Sequence, residues 1–361
     1  MVDKLIDCGN IVGSLTKHAT GVDDARGSTR PMIVFMNVDG KRFVIKMVTY
    51  ETHMIEYNIP PPAGAKYMPA PDAEIAILRK LREQVIRKGL TPCIVELLST
   101  KICDGAFGQA AAWSEEPVER RTTRTIENRL IHKLTAEYDM FKRGVVQDKV
   151  AFIAIEHLDA TLLNYMRILR DDGIGKLIIQ SIIWQLIYTI GVLRATFPGF
   201  KHNDLHLSNI MIYTDWNYDL NDGIKYIEYS VGKKRYYVPF LGTLPKIIDF
   251  GHASLPSAGI VSVYTGLAYF AHNAVQDDLQ HLFTTIYRTI HTDSYASPST
   301  RYLIALINAL SPQVYHSKLL QVNPPEPLDA FELLDNDMFK EYRSPKSADQ
   351  IYSRYGIGGD N

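Results

Sequence analysis

The chain has 361 residues, of which 46% are apolar and 22% are charged, and its formal net charge at pH 7 is −1. This composition is ordinary for a soluble globular protein with room for two domains. The near-zero charge gives no reason to expect nonspecific binding of nucleic acid or of an anionic membrane. Short basic runs such as Lys233-Lys234-Arg235 are interpreted as solvated surface, and they are the one feature that favours a nucleic-acid-binding protein.

The first part of the chain is predicted to be rich in β-strands. Residues 31–48 predict a β-hairpin, because two β-rich runs flank the tight-turn dipeptide Asp39-Gly40. Five prolines within residues 59–71 predict an irregular insertion, and Asp72 is expected to cap a helix that runs to Leu81. Further predictions are strands at Ile94–Leu98 and Val150–Ile155, with a loop or helical insertion over 104–135.

The second part is predicted to be mainly helical. Apolar residues nearly all round a helix predict a buried helix over Ile178–Arg194. A strand-rich part followed by a helix-rich part predicts an α+β protein with two lobes. The other predicted elements are strands at Ile210–Tyr213 and Pro245–Ile248 on either side of a tyrosine-rich insertion, and helices near 279–290, 302–310 and 329–334.

The cysteines and the lack of an apolar signal core at the N-terminus predict an intracellular location for the protein. Cys8, Cys93 and Cys103 are odd in number and have no C-x-x-C spacing, which favours a reducing, intracellular setting over a disulfide framework. The longest apolar stretch, 178–193, is interrupted by glutamine and serine and is expected to be too short and too polar to span a bilayer. A soluble, cytoplasmic protein is therefore expected.

Two short motifs carry groups that phosphoryl transfer needs. Residues 201–211 read Lys-His-Asn-Asp-Leu-His-Leu-Ser-Asn-Ile-Met, and residues 246–251 read Lys-Ile-Ile-Asp-Phe-Gly. They supply Asp204, Asn209 five positions later, and Asp249 behind an apolar strand. A carboxylate can orient an attacking hydroxyl, and two oxygen ligands can hold Mg²⁺ on nucleotide phosphates.

The spacing resembles the protein-kinase pattern H-R-D-x-x-x-x-N followed by D-F-G, with Asn203 in the place of the arginine. The resemblance covers about residues 43–342. It implies a two-lobed protein-kinase-like fold with a small β-rich N-lobe and a larger helical C-lobe. The implied domains are an N-lobe over 1–157 with insertions near 51–71 and 99–148, and a C-lobe over 158–361 with an insertion near 213–245.

The resemblance also implies a role for each motif residue. Asp204 would accept or orient the proton of the attacking hydroxyl, while Asn209 and Asp249 would bind Mg²⁺ and so hold the nucleotide. His206 stands where serine/threonine kinases usually have a lysine, and two readings are open: it reaches the γ-phosphate, or it caps the loop.

Three further residues are expected to support the loop. His202 and Phe250 match packing positions of kinases, and Asp278 resembles the aspartate that supports the backbone of the catalytic loop. The neighbouring Asp277 is expected to be only a helix N-cap.

Lys46 ends the apolar strand 43–45, where the kinase family has its phosphate-binding lysine. Glu74, early in the predicted helix, is expected to form the ion pair that fixes Lys46 against the α- and β-phosphates. Glu51 and Glu56 are alternatives that lie closer in sequence.

Nucleotide contacts are also expected from Glu156 and Leu158, just after the predicted strand that ends at residue 155. The pattern departs from the family here, because no G-x-G-x-x-G motif precedes Lys46. The glycines within 9–13 and 21–27 are weak substitutes for a loop whose backbone N–H groups approach phosphates.

Two other departures concern substrate and regulation. The segment Gly251–Gln276 is short and lacks the A-P-E motif, and in the family this segment positions a peptide substrate. Asn203 removes the arginine that would pair with a phosphate on it. Activity is therefore expected not to depend on phosphorylation of this segment.

Together these features predict an ATP- and Mg²⁺-dependent phosphotransferase, namely a serine/threonine protein kinase acting on a protein hydroxyl. The motif His-Asn-Asp-Leu-His-x-x-Asn-Ile-Met and the tyrosine-rich insertion resemble serine/threonine kinases of large DNA viruses, which places the protein in the host cytoplasm or the virion. The alternatives are a small-molecule kinase of the aminoglycoside or choline type and a pseudokinase scaffold. ATP and a protein are the expected partners, a small-molecule substrate is the alternative, and no specific nucleic acid or membrane is expected.

Overall fold

The computed structural model describes residues 2–23, 31–52, 61, 63–108, 125–169, 172–266, 277–292, 298–311 and 327–358. Helices and strands are mixed in this part of the chain, and its N-terminal region is rich in sheet, in agreement with the predicted α+β class. The chain forms two compact units. Unit 1 comprises Met1–Tyr57, Met68–Arg79 and Glu96–His157, and unit 2 comprises Asn58–Tyr67, Lys80–Val95 and Leu158–Asn361.

The elements of the described residues are as follows. The strands are Ala19–Asp23, Met32–Val38, Lys41–Glu51, Lys66–Met68, Leu97–Asp104, Val146–Glu156, Ala160–Thr161, Ile210–Thr214, Lys225–Val231, Lys234–Phe240, Thr243–Ile247, Ser254–Leu255, Ile260–Ser262 and Ile351–Ile357. The α-helices are Val2–Leu5, Ile11–Thr16, Ala70–Leu81, Ile126–Lys142, Leu162–Ile168, Gly173–Thr196, Asp278–Thr292, Pro298–Leu310 and Ala330–Leu333. Arg82–Ile86 is π-helical, and the 3₁₀ helices are Leu207–Asn209, Leu220–Asp222, Phe250–His252, Pro256–Ala258, Val263–Gly266, Asp337–Arg343 and Ala348–Gln350.

An antiparallel five-stranded sheet forms the centre of unit 1. Asp39 and Gly40 join its second and third strands with φ angles of 52° and 77°, the two positive values that a tight hairpin turn of matching twist requires. The predicted hairpin is confirmed, as is the strand predicted over 150–155. The strand order is Ala19–Asp23, Met32–Val38, Lys41–Glu51, Val146–Glu156, Leu97–Asp104.

One face of this sheet is buried under a helix. Met32, Val34 and Met36 alternate with partly exposed neighbours, which is the period-two pattern of a half-buried strand. Helix Ile126–Lys142 contributes buried residues to the same core and begins at Thr125, whose side chain accepts from a backbone N–H of the first turn. Part of the segment predicted as an insertion is therefore a core helix, while residues 109–124 lie outside the described part.

Cys8 and Cys103 form a disulfide, with Cα atoms 5.4 Å apart and a sequence separation of 95. It links the N-terminal helical segment to the edge strand of the unit 1 sheet. The prediction that the cysteines form no disulfide framework is wrong on this point. The odd count arises because Cys93 is a buried free thiol in unit 2.

The long helix Gly173–Thr196 forms the core of unit 2. Asp172 caps it by accepting from the Gly175 N–H at 2.8 Å, and every residue from 181 to 193 is buried, as the all-round apolar pattern predicts. The expectation that this stretch is too short and too polar to span a membrane is wrong, because by length and composition alone the 24-residue helix could do so. However, 78% of an apolar 18-residue stretch of this helix is buried inside the protein, as in a core helix.

The predicted insertion near 213–245 folds as a β-hairpin, Lys225–Val231 and Lys234–Phe240, between the paired strands Ile210–Thr214 and Thr243–Ile247. The C-terminal strand Ile351–Ile357 adds parallel to the first strand of the hairpin. Tyrosines of the hairpin are buried against the long helix: the rings of Tyr229 and Tyr236 lie 5.0 and 5.3 Å from that of Trp184. The tyrosine-rich composition therefore reflects packing.

Two predicted boundaries differ from the structure. The helix predicted from Asp72 begins at Ala70, because the first turn needs no backbone N–H from Pro71. Asp72 instead accepts from the Tyr50 hydroxyl at 2.6 Å. The strand predicted at Ile94–Leu98 lies at Leu97–Asp104, and Ile94 forms an isolated parallel bridge with Ile247.

Candidate active site

The segment 201–211 is held by bonds to its backbone. Asp278, at the start of its helix, accepts from the N–H of His202 at 2.8 Å and from the N–H of Asn203 at 3.0 Å. Asp278 is 2% exposed, so both bonds are shielded from water. The predicted support by Asp278 is confirmed, and Asp277 caps the helix by accepting from a backbone N–H of the first turn at 2.9 Å.

His202 and Phe250 pack together, with ring centroids 5.0 Å apart and both side chains buried. The ring nitrogen Nε2 of His202 lies 3.0 Å from the Ile248 carbonyl oxygen, so Nε2 carries a proton and donates it. This contact ties the loop to the residues just before Asp249. The predicted packing role of both side chains is confirmed.

Asn203, which stands where the protein-kinase pattern has an arginine, makes a neutral contact. Its backbone is left-handed, with φ of 65°, a conformation that asparagine tolerates better than most residues. Its side-chain amide donates to the carbonyl oxygen of His252 at 2.8 Å. Asn203 therefore joins the 201–211 segment to the Asp-Phe-Gly turn without supplying a cation.

Asp204 and Asn209 are hydrogen-bonded to each other. The Asn209 Nδ2 donates to the backbone carbonyl oxygen and to Oδ2 of Asp204, both at 2.9 Å. The 3₁₀ turn Leu207–Asn209 brings these two positions together. Because Nδ2 is used as the donor, the amide oxygen Oδ1 is left to act as an acceptor toward a cation.

His206 caps the same turn. Its Nδ1 accepts from the Ser208 N–H at 3.2 Å, so the neutral ring carries its proton on Nε2. That nitrogen lies 3.6 Å from Oδ2 of Asp204, too far for a hydrogen bond but close enough for attraction when the ring is protonated. Of the two roles left open for His206, loop capping is observed.

The Asp204 carboxylate lies among histidines. Burial alone raises its pKa, but the contact with His206 and the charges of His206, His252 and His202 outweigh burial, so the pKa lies below its usual value. The group is therefore ionised at neutral pH and can accept a hydrogen bond from an incoming hydroxyl. Sequence reasoning missed His252, although its position directly after Asp-Phe-Gly was an available signal.

Strand pairing brings Asn209 and Asp249 to the same end of two strands. Ile210 and Ile247 are opposite each other in the antiparallel pair, and the Ile248 N–H donates to the Asn209 carbonyl oxygen at 3.0 Å. Asp249 follows directly, with a left-handed φ of 61° that turns the chain.

The side-chain oxygens at this end of the two strands suit a hard cation. Among the described residues, no group of three or more His, Cys, Asp or Glu side chains could hold a metal ion. Mg²⁺ is usually bound by one or two protein oxygens, with water and nucleotide phosphates as its other ligands. The amide oxygen of Asn209 and the carboxylate of Asp249 fit this kind of site.

In unit 1, Lys46 and Glu74 form a buried ion pair. The Lys46 Nζ lies 2.8 Å from Oε1 and 2.9 Å from Oε2 of Glu74, and the two residues are 8% and 4% exposed. The expected bond between Glu74 and Lys46 is therefore present. Glu51 ends the strand that carries Lys46, and Glu56 lies outside the described residues.

Glu156 bonds to the residue that precedes a neighbouring strand. Its Oε1 accepts from the Glu96 N–H at 2.8 Å, and its own N–H donates to the Glu96 carbonyl oxygen at 3.1 Å. Leu158, in unit 2, is 3% exposed. Glu156 thus has a structural contact and Leu158 is buried, and the contact of either residue with a nucleotide stays a prediction.

The two candidate glycine segments differ. Gly9 and Gly13 belong to the N-terminal helical segment, where a Cβ on Gly13 would meet the Asn10 side chain, so these glycines serve a helix start. Gly21 lies in the first strand, which pairs with Met32–Val38. Gly27, in the connection between these strands, lies outside the described residues.

The segment after Asp-Phe-Gly is packed against its surroundings as far as residue 266. Ser254 and Ser262 are buried, and the Ser262 hydroxyl donates to the Gly251 carbonyl oxygen at 2.5 Å. The His252 ring stacks on that of Tyr264 at 4.7 Å. Residues 267–276 lie outside the described part.

Comparisons with known proteins point to viral kinases. No family model matches the chain. The protein named "Putative serine/threonine-protein kinase R301" of Acanthamoeba polyphaga mimivirus is 24% identical over 275 residues, which is 69% of this chain and 63% of that protein. "Putative serine/threonine-protein kinase R400" of the same virus is 36% identical over 95 residues, which is 26% of this chain and 20% of that protein. The chain thus spans less than two thirds of either relative, and it is similar to proteins named as serine/threonine kinases of a large DNA virus.

Proposed function

We propose that the chain is an ATP- and Mg²⁺-dependent phosphotransferase of the protein-kinase type that acts on serine or threonine hydroxyls of proteins. The observation that carries this proposal is the Asp204–Asn209 pair. A single amide group orients the carboxylate that would face the hydroxyl and leaves an oxygen for a cation beside it.

Each residue has a defined task in this proposal. Lys46, held by Glu74, neutralises charge on the nucleotide phosphates, and the buried ion pair keeps the ammonium group in one position. Asn209 and Asp249 hold Mg²⁺, which when bound neutralises charge on the phosphates. Asp204 accepts the hydrogen bond of the acceptor hydroxyl and takes its proton as the phosphoryl group is transferred.

The wider features of the proposal rest on the same resemblance. We infer a two-lobed arrangement divided near residue 157, and an intracellular location in the host cytoplasm or the virion. The names of the two viral relatives support a protein substrate.

The test is transfer of label from γ-labelled ATP with Mg²⁺. The acceptors are a heat-treated host-protein extract and a panel of small hydroxyl compounds, and Asp204→Asn run in parallel controls for contaminating kinases. Label on protein serine or threonine, absent with the variant, is the expected result. Label only on small compounds would show a small-molecule kinase, and no label on any acceptor would favour a pseudokinase.

A further inference from the structure

The basic run 233–235 is more than solvated surface. Lys234 pairs with Asp335, whereas Lys233 and Arg235 line a pocket of about 590 Å³ in unit 2. Lys88 and Arg354, distant in sequence, line the same pocket. Three separate parts of the chain therefore bring four cationic side chains to one concave surface.

A buried carboxylate fixes two of these cations. Glu228 is 7% exposed; its Oε2 accepts from Nε of Arg354 at 3.1 Å, and its Oε1 accepts from Nη1 of Arg235. Both arginine side chains nevertheless remain 63% exposed. Each guanidinium has five N–H donors, so each keeps donors for a ligand while Glu228 holds it in place.

The charge of the pocket is not balanced by its own residues. The pocket is lined by the four cations and the single carboxylate of Glu228, so its lining carries a net charge of about +3 when all are ionised. Exposed like charges repel one another, and a concave surface that gathers them favours binding of an anion.

The rest of the lining is small and polar. A Cβ on Gly356 would lie 1.9 Å from the Ser230 Oγ, so a larger residue there would displace this hydroxyl from its place beside the cations. The Gly356 N–H donates to the Gly89 carbonyl oxygen at 3.3 Å, which anchors the segment that carries Lys88. The pocket is therefore a built feature of the hairpin, the C-terminal strand and the turn after the π-helix.

We propose that this pocket binds a ligand carrying a phosphomonoester group. Such a group is close to a dianion at neutral pH and has three acceptor oxygens, and guanidinium forks match phosphate oxygens in pairs. The volume exceeds that of one phosphate, so the pocket also receives part of the molecule that carries it. A phosphorylated protein side chain and a small phosphorylated metabolite share this chemistry.

The experiment compares two double variants of the full chain by isothermal titration, without Mg²⁺ and at fixed ionic strength. Lys88→Gln with Lys233→Gln removes two pocket cations that lie on the surface. Lys41→Gln with Lys340→Gln removes two exposed cations elsewhere and changes the net charge equally. The probes are a capped phosphoserine peptide, the same peptide unphosphorylated, and glucose 6-phosphate.

Phosphorylated probes should bind the parent and the control variant with equal affinity. They should bind the pocket variant about tenfold more weakly, or not at all. Tighter binding of the phosphopeptide than of glucose 6-phosphate identifies a protein source, and the reverse identifies a metabolite. Equal affinity for the pocket and control variants overturns the proposal. This result would leave the phosphotransferase proposal intact, because none of these lysines belongs to the candidate active site.

Discussion

At the scale of single residues, Asp204 is defined by its neighbours. Asn209 donates to it, His206 and His252 surround it, and its pKa lies below the usual value although it is partly buried. A side chain that remains ionised and aimed by a fixed donor is suited to orient a hydroxyl.

Replacement of Asp204 by asparagine tests this role. The new amide oxygen can still accept from Asn209, so the loop should keep its shape while the negative charge is lost. We expect kcat to fall about 10²-fold or more, and ATP affinity to change by no more than a few-fold. Steady-state kinetics and ATP titration measure the two quantities. An unchanged kcat, or a large loss of ATP affinity at normal kcat, would place the catalytic role elsewhere.

The sequence is sufficient to nominate the residues of the candidate site, but not to predict what they contact. The spacing of Asp204, Asn209 and Asp249 is sufficient to nominate them. The role of His206 could not be decided from sequence, because its bond to Ser208 depends on the dihedral angles of the turn. The contact of Asn203 with His252 likewise required the left-handed backbone at both Asn203 and Asp249.

At the scale of elements, the segment after Asp249 is held by neutral contacts. Asn203 donates an amide hydrogen to its backbone, and Ser254 and Ser262 are buried within it. Phosphorylation of either serine would require the segment to open, and the asparagine offers no charge to a phosphate.

Phosphatase treatment should therefore leave the rate unchanged. We expect the treated and untreated protein to transfer label equally, and mass spectrometry to find Ser254 and Ser262 unmodified. A severalfold loss of rate, restored by rephosphorylation of Ser257 or Tyr264, would mean that a cation from another part of the chain performs the task of the missing arginine.

The disulfide is the element-scale feature that sequence spacing could not predict. Cys8 and Cys103 become neighbours only because the N-terminal helical segment packs beside the edge strand Leu97–Asp104. By contrast, the hairpin over 31–48 was predictable, since its turn dipeptide and strand patterns are local. Local patterns fix single elements, and pairings across 95 residues depend on the assembled sheet.

Thiol counting tests the disulfide. The unreduced native protein should not react with iodoacetamide at pH 8, because two cysteines are bonded and burial raises the pKa of Cys93 to about 11. After reduction in denaturant, three cysteines should react. Cys8→Ser should lower the free energy of unfolding by about 2–4 kcal/mol. In the unreduced protein under denaturation only Cys93 should react, and more than one reactive thiol would contradict the bond.

At the scale of the whole molecule, the mixture of helices and strands was predictable, because strand-like and helix-like patterns occupy different parts of the chain. The basic pocket was not, since Lys88, Lys233 and Arg354 come together only through the hairpin and a parallel C-terminal strand. The central claim about the molecule, Mg²⁺-dependent phosphoryl transfer, depends on groups that the two motifs supply.

Asp249→Asn tests that claim most directly, by the rate of label transfer from γ-labelled ATP as Mg²⁺ is titrated. Asparagine tolerates the left-handed backbone at this position, so circular dichroism should be unchanged while the charged metal ligand is lost. Asp222→Asn, an exposed change of the same charge in unit 2, is the matched control. We predict that transfer by Asp249→Asn is abolished at every Mg²⁺ concentration and that the control keeps the parent rate. Transfer by Asp249→Asn within a few-fold of the parent would contradict the assignment of the metal site.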